Sequence, residues 1–143
     1  LNTPSIGEYN ISEISTDINP NKDFYKHSIA EALSEKKPIF ITFATPGLCV
    51  TGTCSPQLEE LKKISNDYND LIIIHIEIWK NFKEVMDKGD LSIGKLNDSV
   101  EKFGIKTEPW TFLINTEGKI KNRYQGFVES KELKTDLESI REY

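Results

Sequence analysis

An α/β domain with a mainly parallel core is what this chain predicts, on three observations. Two short apolar runs, 39–44 and 71–79, are hydrophobic on both faces, as strands covered by helices on either side must be. A helical pattern lies between them, which makes the pair a right-handed βαβ unit. Downstream, two strand-like segments meet at a tight Thr116-Glu117-Gly118 turn and are followed by a further amphipathic helix.

The elements follow in chain order. Residues 1–22 mix Asn, Ser, Thr, Pro and isolated Ile without sustained periodicity, and read as an extended N-terminal arm or tether ahead of a domain over 23–143. Tyr25, Ile29, Ala32 and Leu33 share helical spacing, which predicts one helix over 23–36, ended by Lys37-Pro38. Ile39-Phe40-Ile41-Thr42-Phe43-Ala44 is the first buried strand. Leu58, Leu61, Ile64 and Tyr68 define the next helix, and the run 71–79, interrupted by His75 and Glu77, is the second strand. The polar stretch 80–106, punctuated by Gly89, Gly94 and Gly104, predicts short helices over 82–86 and 99–103. Strands over 110–115 and 119–125 form the hairpin. Ser130 is expected to cap a last helix that carries Leu133, Leu137 and Ile140 on one face.

Composition narrows the function. The formal net charge is −5 and no Lys/Arg run exceeds a pair, whereas phosphate recognition needs clustered basic residues, so nucleic acid and anionic membrane surfaces are excluded as partners. The longest apolar run is far too short to span a bilayer. The chain opens on Leu1 rather than Met, which reads as a processed or trimmed product.

Chemistry concentrates at Cys49 and Cys54, the only two cysteines in 143 residues. They lie where the first strand hands over to a helix, and the partial positive charge of a helix N-terminus stabilises thiolate. Two cysteines are too few for a disulfide framework, so the pair is functional or one isolated staple. Two registers are open for the loop. Ser55 as N-cap with Pro56 as the first helical residue suits both residue types and is favoured; it leaves Cys54 just before the helix. The other puts Pro56 inside the helix and Cys54 within its first turns.

The order of elements, Phe43-Ala44-Thr45-Pro46 leading to Cys49 and Cys54, and the segment 104–115 with Glu108-Pro109-Trp110 resemble the thioredoxin-like superfamily, in particular secreted or membrane-tethered bacterial members. That resemblance implies a thioredoxin fold, with a central mixed sheet of about four to five strands flanked by helices. It implies a reversible Cys49–Cys54 dithiol/disulfide acting on a protein partner, with Cys49 as attacking thiol and Cys54 resolving. It implies a cis Pro109, and an extended partner segment bound along Glu108, Pro109 and Trp110. This chain departs from the family by having four residues between its cysteines instead of two, and Thr42 where many members carry a buried Asp. Glu77, on the same strand face as His75 and near the carboxyl edge, is the candidate replacement as proton acceptor. The Glu108 carboxylate near the sulfurs would disfavour thiolate. Trp79 and Trp110 are expected to flank the site.

Rival readings use the same residues. A Sco-like Cu(I) chaperone would bind metal through the two thiolates, but its distant histidine has no counterpart after His75. A peroxidase reading of Pro46 to Cys54 misplaces Thr51 by one residue, and Arg123 and Arg141 are the only arginines. A non-enzymatic binding module would use the groove near Pro109 without the thiols. The expectation is a monomeric oxidoreductase of the cell envelope, extracytoplasmic, with protein thiols or disulfides as partners and neither cofactor nor metal.

Overall fold

The computed structural model describes residues 3, 5, 9–48 and 52–141. A four-stranded mixed sheet in the order β2-β1-β3-β4 lies at the centre, with β1 (Ile39–Phe43), β2 (Ile72–Ile76), β3 (Trp110–Ile114) and β4 (Ile120–Gln125). β1 runs parallel to β2 and antiparallel to β3, and β3 pairs antiparallel with β4. All five residues of β1 and of β2 are buried, which is the environment their continuous apolar runs require.

Side-chain alternation sorts the core into two layers. On one face Phe40, Ile73 and Leu113 pack with Leu58, Leu61 and Ile64 of α3 (Cys54–Ser65) and with Leu133 and Leu137 of α6 (Ser130–Arg141). On the other, Ile39, Ile41, Phe43, Ile74 and Phe112 pack with Ile29 and Ala32 of α2 (Ile29–Ser34) and with Val100 of α5 (Asp98–Lys102). Each fully buried aliphatic or aromatic side chain in these layers contributes about 1.5–3 kcal/mol of transfer free energy. Gln57, fully buried on α3, forms a two-way amide pair with Val128: its Nε2 donates to the Val128 carbonyl (3.2 Å) and its Oε1 accepts from the Val128 amide (2.7 Å). α3 is thereby fixed against the turn before α6.

Four boundaries differ from the sequence reading, each for a local reason. The helix expected over 23–36 is a 3-10 turn, Lys22–Tyr25, followed by the separate α2. Ser28 restarts the chain with a full capping box: its hydroxyl accepts from the Glu31 amide and its own amide donates to the Glu31 carboxylate, both at 3.1 Å. That break turns Phe24 and Tyr25 into the core. β2 ends at Ile76 rather than at Trp79, because the continuing chain pairs with 95–97: the Asn97 amide donates to the Ile78 carbonyl (2.9 Å) and Trp79 bridges Leu96. The polar stretch holds α4 (Phe82–Lys88), a 3-10 turn at Leu91–Ile93, and α5. Ser130 is the first residue of α6, and its amide donates to Glu60 on α3 (3.0 Å).

The N-terminal segment lies against this frame. α1 (Ile11–Ile14) is a single helical turn, and Ile14 and Ser15 are buried. No helix among the described residues is long and apolar enough to cross a membrane.

Candidate functional site

Cys54 is the first residue of α3, with Thr53 at the N-cap and Pro56 inside the first turn. The favoured register is therefore corrected in favour of the other one. Proline is accommodated there because the first amides of a helix have no intrahelical acceptor, so its missing N–H costs nothing. Cys54 is fully buried and disulfide-bonded. The chain's other cysteine, Cys49, lies outside the described residues.

The strand ends that carry the loop also carry a buried polar cluster. Thr42 stands opposite His75 across the parallel pair and is fully buried, its hydroxyl 3.1 Å from that of Thr111. His75 Nε2 lies 2.8 Å from the Ala44 carbonyl and Nδ1 lies 2.8 Å from the Tyr25 hydroxyl. A carbonyl only accepts, so Nε2 carries the proton and Nδ1 accepts from Tyr25. The Tyr25 oxygen in turn stands 2.9 Å from Ser15 Oγ, which accepts the Asp17 amide at 3.0 Å. Every donor in this chain finds an acceptor, and one imidazole tautomer satisfies it. Burial pulls the His75 pKa down to about 4, against the smaller opposing effect of the Ala44 carbonyl, so the ring is neutral. Both ring nitrogens are committed, which leaves neither to ligate a metal in this arrangement. Among the described residues no three His, Cys, Asp or Glu side chains converge on a metal position.

Glu77 follows directly. Its side chain is 2 % exposed, and burial pushes its pKa up to about 8, with the nearby Glu108 and Asp17 carboxyls adding to the effect and hydrogen bonds from Thr16 opposing it. At neutral pH the group carries a proton. The 3.4 Å approach of His75 Nε2 to Glu77 Oε2 is thus a contact of two neutral groups rather than an ion pair. Thr16 supplies the partners of this carboxyl: its amide donates to Oε2 (2.8 Å) and its hydroxyl lies 3.0 and 3.1 Å from the two oxygens. The same hydroxyl accepts the Gly47 amide at 2.8 Å. Gly47 is needed there, because a Cβ at that position would stand 2.9 Å from Thr16 Cβ. A cavity of about 460 Å³ borders Glu77 and is lined also by Tyr25, His75, Trp79, Asn97 and Ser99. It is large enough for several waters beside the carboxyl.

The Glu108–Pro109 peptide is cis. Pro109 is buried and its carbonyl accepts from the Gly126 amide (2.8 Å). Burial raises the pKa of Glu108, and a hydrogen bond from Thr45, on the turn after β1, opposes the shift. Thr45 Oγ1 also accepts from the Ile78 amide (3.3 Å), so one threonine links the turn, the Glu77 segment and the cis-proline loop. Trp110 opens β3, half-buried, stacked on Phe112 with ring centroids 6.0 Å apart and donating from Nε1 to Thr107 (2.8 Å). Trp79 bridges Leu96, packs against Gly94, where a Cβ would stand 2.7 Å from its ring, and lines the cavity beside Glu77. Glu77, Glu108 and Cys54 therefore belong to one end of the sheet; Tyr25 and Thr45, marked in the sequence only for helical spacing and for the loop resemblance, join that cluster, and so does Thr16, which no sequence signal marked.

Residues 25–141 match the family model of the thioredoxin-like domain, and the chain belongs to that family. Solved structures with the same fold include the exposed lipoprotein thioredoxin Etrx1 of Streptococcus pneumoniae strain TIGR4, at 17% identity and TM-score 0.55 over 75% of this chain and 89% of that one. StoA from Bacillus subtilis shares 18% identity at TM-score 0.52, over 70% and 81% of the two chains. The provisionally named thiol:disulfide interchange protein DsbE of Chlorobium tepidum shares 16% at TM-score 0.58, over 76% and 84%. Among curated protein sequences none matches significantly.

Proposed function

We propose that this protein is a thiol-disulfide oxidoreductase that works through a reversible Cys49–Cys54 disulfide on a protein partner. The observation that carries this reading is Cys54: disulfide-bonded and buried at the first turn of α3 in a thioredoxin-like domain. A partner thiolate attacks Cys49 sulfur; one S–S bond forms to the partner, the Cys49–Cys54 bond breaks, and the electron pair leaves on Cys54. That sulfur is generated inside the protein, where an uncompensated charge is costly, and the protonated Glu77 carboxyl supplies the proton that neutralises it. Resolution by a second partner thiol releases the partner as disulfide and leaves the dithiol. The reverse sequence oxidises the protein, with ionised Glu77 taking the proton back from Cys54.

The partner segment is read as lying along Glu108, Pro109 and Trp110, with the Glu108 carboxyl disfavouring thiolate nearby. The action is assigned outside the cytoplasm, where protein disulfides persist; the likeness to an exposed lipoprotein thioredoxin supports that assignment. The protein is taken to act as a monomer.

Trapping tests the reading and its polarity together. Because Cys54 is fully buried, attack from solvent has to enter at Cys49. Reduced Cys54→Ser protein mixed with a disulfide-bonded peptide is expected to accumulate a stable mixed disulfide at Cys49, seen as one peptide mass added. Cys49→Ser protein is expected to give no adduct in the folded state. Adducts at Cys54, or at neither residue, would overturn the assignment.

A further inference from the structure

We propose that Thr16, carried by the N-terminal segment, is a positioning residue for Glu77: it binds the carboxyl and the Gly47 turn in one hydrogen-bonded unit, making the segment a wall of the redox site. The proposal rests on the reading of Glu77 as the proton donor and acceptor of the exchange.

Three independent contacts meet at this one residue. The Thr16 amide and hydroxyl both address the Glu77 carboxyl, across a sequence separation of 61 residues. The hydroxyl also receives the Gly47 amide, on the turn that precedes Cys49. The close approach works from both sides, since any side chain at position 47 would collide with Thr16 Cβ at 2.9 Å. The segment is anchored on either side of Thr16. Ser15 joins the Tyr25–His75 chain, and Asp17, its side chain 7 % exposed, pairs with Lys62 of α3 at 2.9 Å. Lys62 Nζ further donates to the Asn19 carbonyl at 2.7 Å. The same stretch of chain thus holds the helix that carries Cys54, the turn that leads to Cys49, and the buried acid. It lies ahead of residues 25–141, the part that matches the family model.

Besides burial, Thr16, Glu108 and Asp17 set the Glu77 titration, and the other titratable groups of this cluster come from the elements packed with it. Asp17 and Thr16 belong to the segment, Glu108 to the cis-proline loop, His75 to β2, Tyr25 to the 3-10 turn and Lys62 to α3. Asp17 and Glu108 favour the protonated acid, and Thr16 opposes them by donating to the carboxylate. Loss of the Thr16 hydroxyl therefore raises the Glu77 pKa further. A hydrogen bond to a charged group is worth enough to move the midpoint upward by roughly one pH unit.

The test is a pH titration of the Glu77 side-chain carboxyl by carbon-13 NMR, paired with the pH profile of the exchange rate, in wild type, Thr16→Val and Thr16→Ser. The expected result is an upward shift of the Glu77 midpoint by about one unit in Thr16→Val, with the rate profile moving by the same amount, and both restored in Thr16→Ser. Thr16→Ala, which removes the hydroxyl without adding bulk beside Gly47, gives the same shift and serves if valine impairs folding. An unmoved Glu77 midpoint in the hydroxyl-free variants, while Glu77→Gln still alters the rate profile, would overturn the role of Thr16 and leave that of Glu77 standing. A midpoint that moves without the rate profile, with Glu77→Gln equally silent, would overturn both.

Discussion

Glu77→Gln is expected to make the protein more stable than wild type above about pH 4.5, by an amount that grows up to about pH 8, and to slow its exchange chemistry at the same time. In the folded protein the carboxyl titrates near 8 against 4.5 for an ordinary glutamate. Between those values the unfolded chain has released the proton and the folded one retains it, so wild-type stability falls as pH rises through that window, by on the order of 5 kcal/mol in total. His75 has the opposite sign. Held neutral with a pKa near 4 against 6.5, it makes stability rise from pH 4 to 6.5. The two slopes offset each other up to about 6.5, and the decline from there to 8 belongs to Glu77 alone. Glutamine keeps an acceptor for the Thr16 amide and a donor for the Thr16 hydroxyl oxygen, and it carries no titrating proton. Denaturant unfolding of the oxidised protein from pH 5 to 9 should show a decline above 6.5 in wild type, and in the variant the His75 rise up to about 6.5 followed by a flat line. Equal slopes would mean that Glu77 is not the buried acid. Loss of a positioned proton donor slows exchange by about 10²-fold or more.

Replacing either cysteine with serine is expected to reduce exchange to the uncatalysed background, and the double variant is expected to do no worse. The two sulfurs act as one unit, since resolving the mixed disulfide requires both, and losses within such a unit do not add. Under oxidising conditions each variant also loses the loop closure between positions 49 and 54, worth on the order of 2 kcal/mol for so short a loop. Turnover with a disulfide-containing protein substrate reads the first effect and denaturant midpoints read the second. Retained turnover in either single variant would remove the dithiol from the mechanism.

The sheet was legible because its central strands are buried on both faces, and continuous runs such as Ile39-Phe40-Ile41 and Ile72-Ile73-Ile74 admit little else. The cysteine loop and the Pro109 segment were legible as landmarks. The break between Lys22–Tyr25 and α2 was missed although its signal is present: Ser28 followed three residues later by Glu31 is a capping box, and apolar spacing alone does not separate one helix from two. The loop register went the wrong way because Ser-Pro is a good cap and start in isolation, whereas burial of Cys54 in the core places the helix start two residues earlier. Thr16 could not have been found, since its role depends on residues 31 and 61 positions away in the chain. A threonine in an aperiodic polar stretch carries no local mark of such contacts.

An equilibrium redox titration of the full chain against a thiol/disulfide buffer, read by thiol labelling and mass spectrometry, tests the central claim most directly. The account predicts one reversible two-electron transition in which Cys49 and Cys54 gain and lose the label together, at a potential within the range spanned by protein oxidoreductases, about −270 to −120 mV. A pair that stays oxidised throughout that range would be a structural staple, and a pair that never closes would be two unconnected thiols; either result contradicts the assignment.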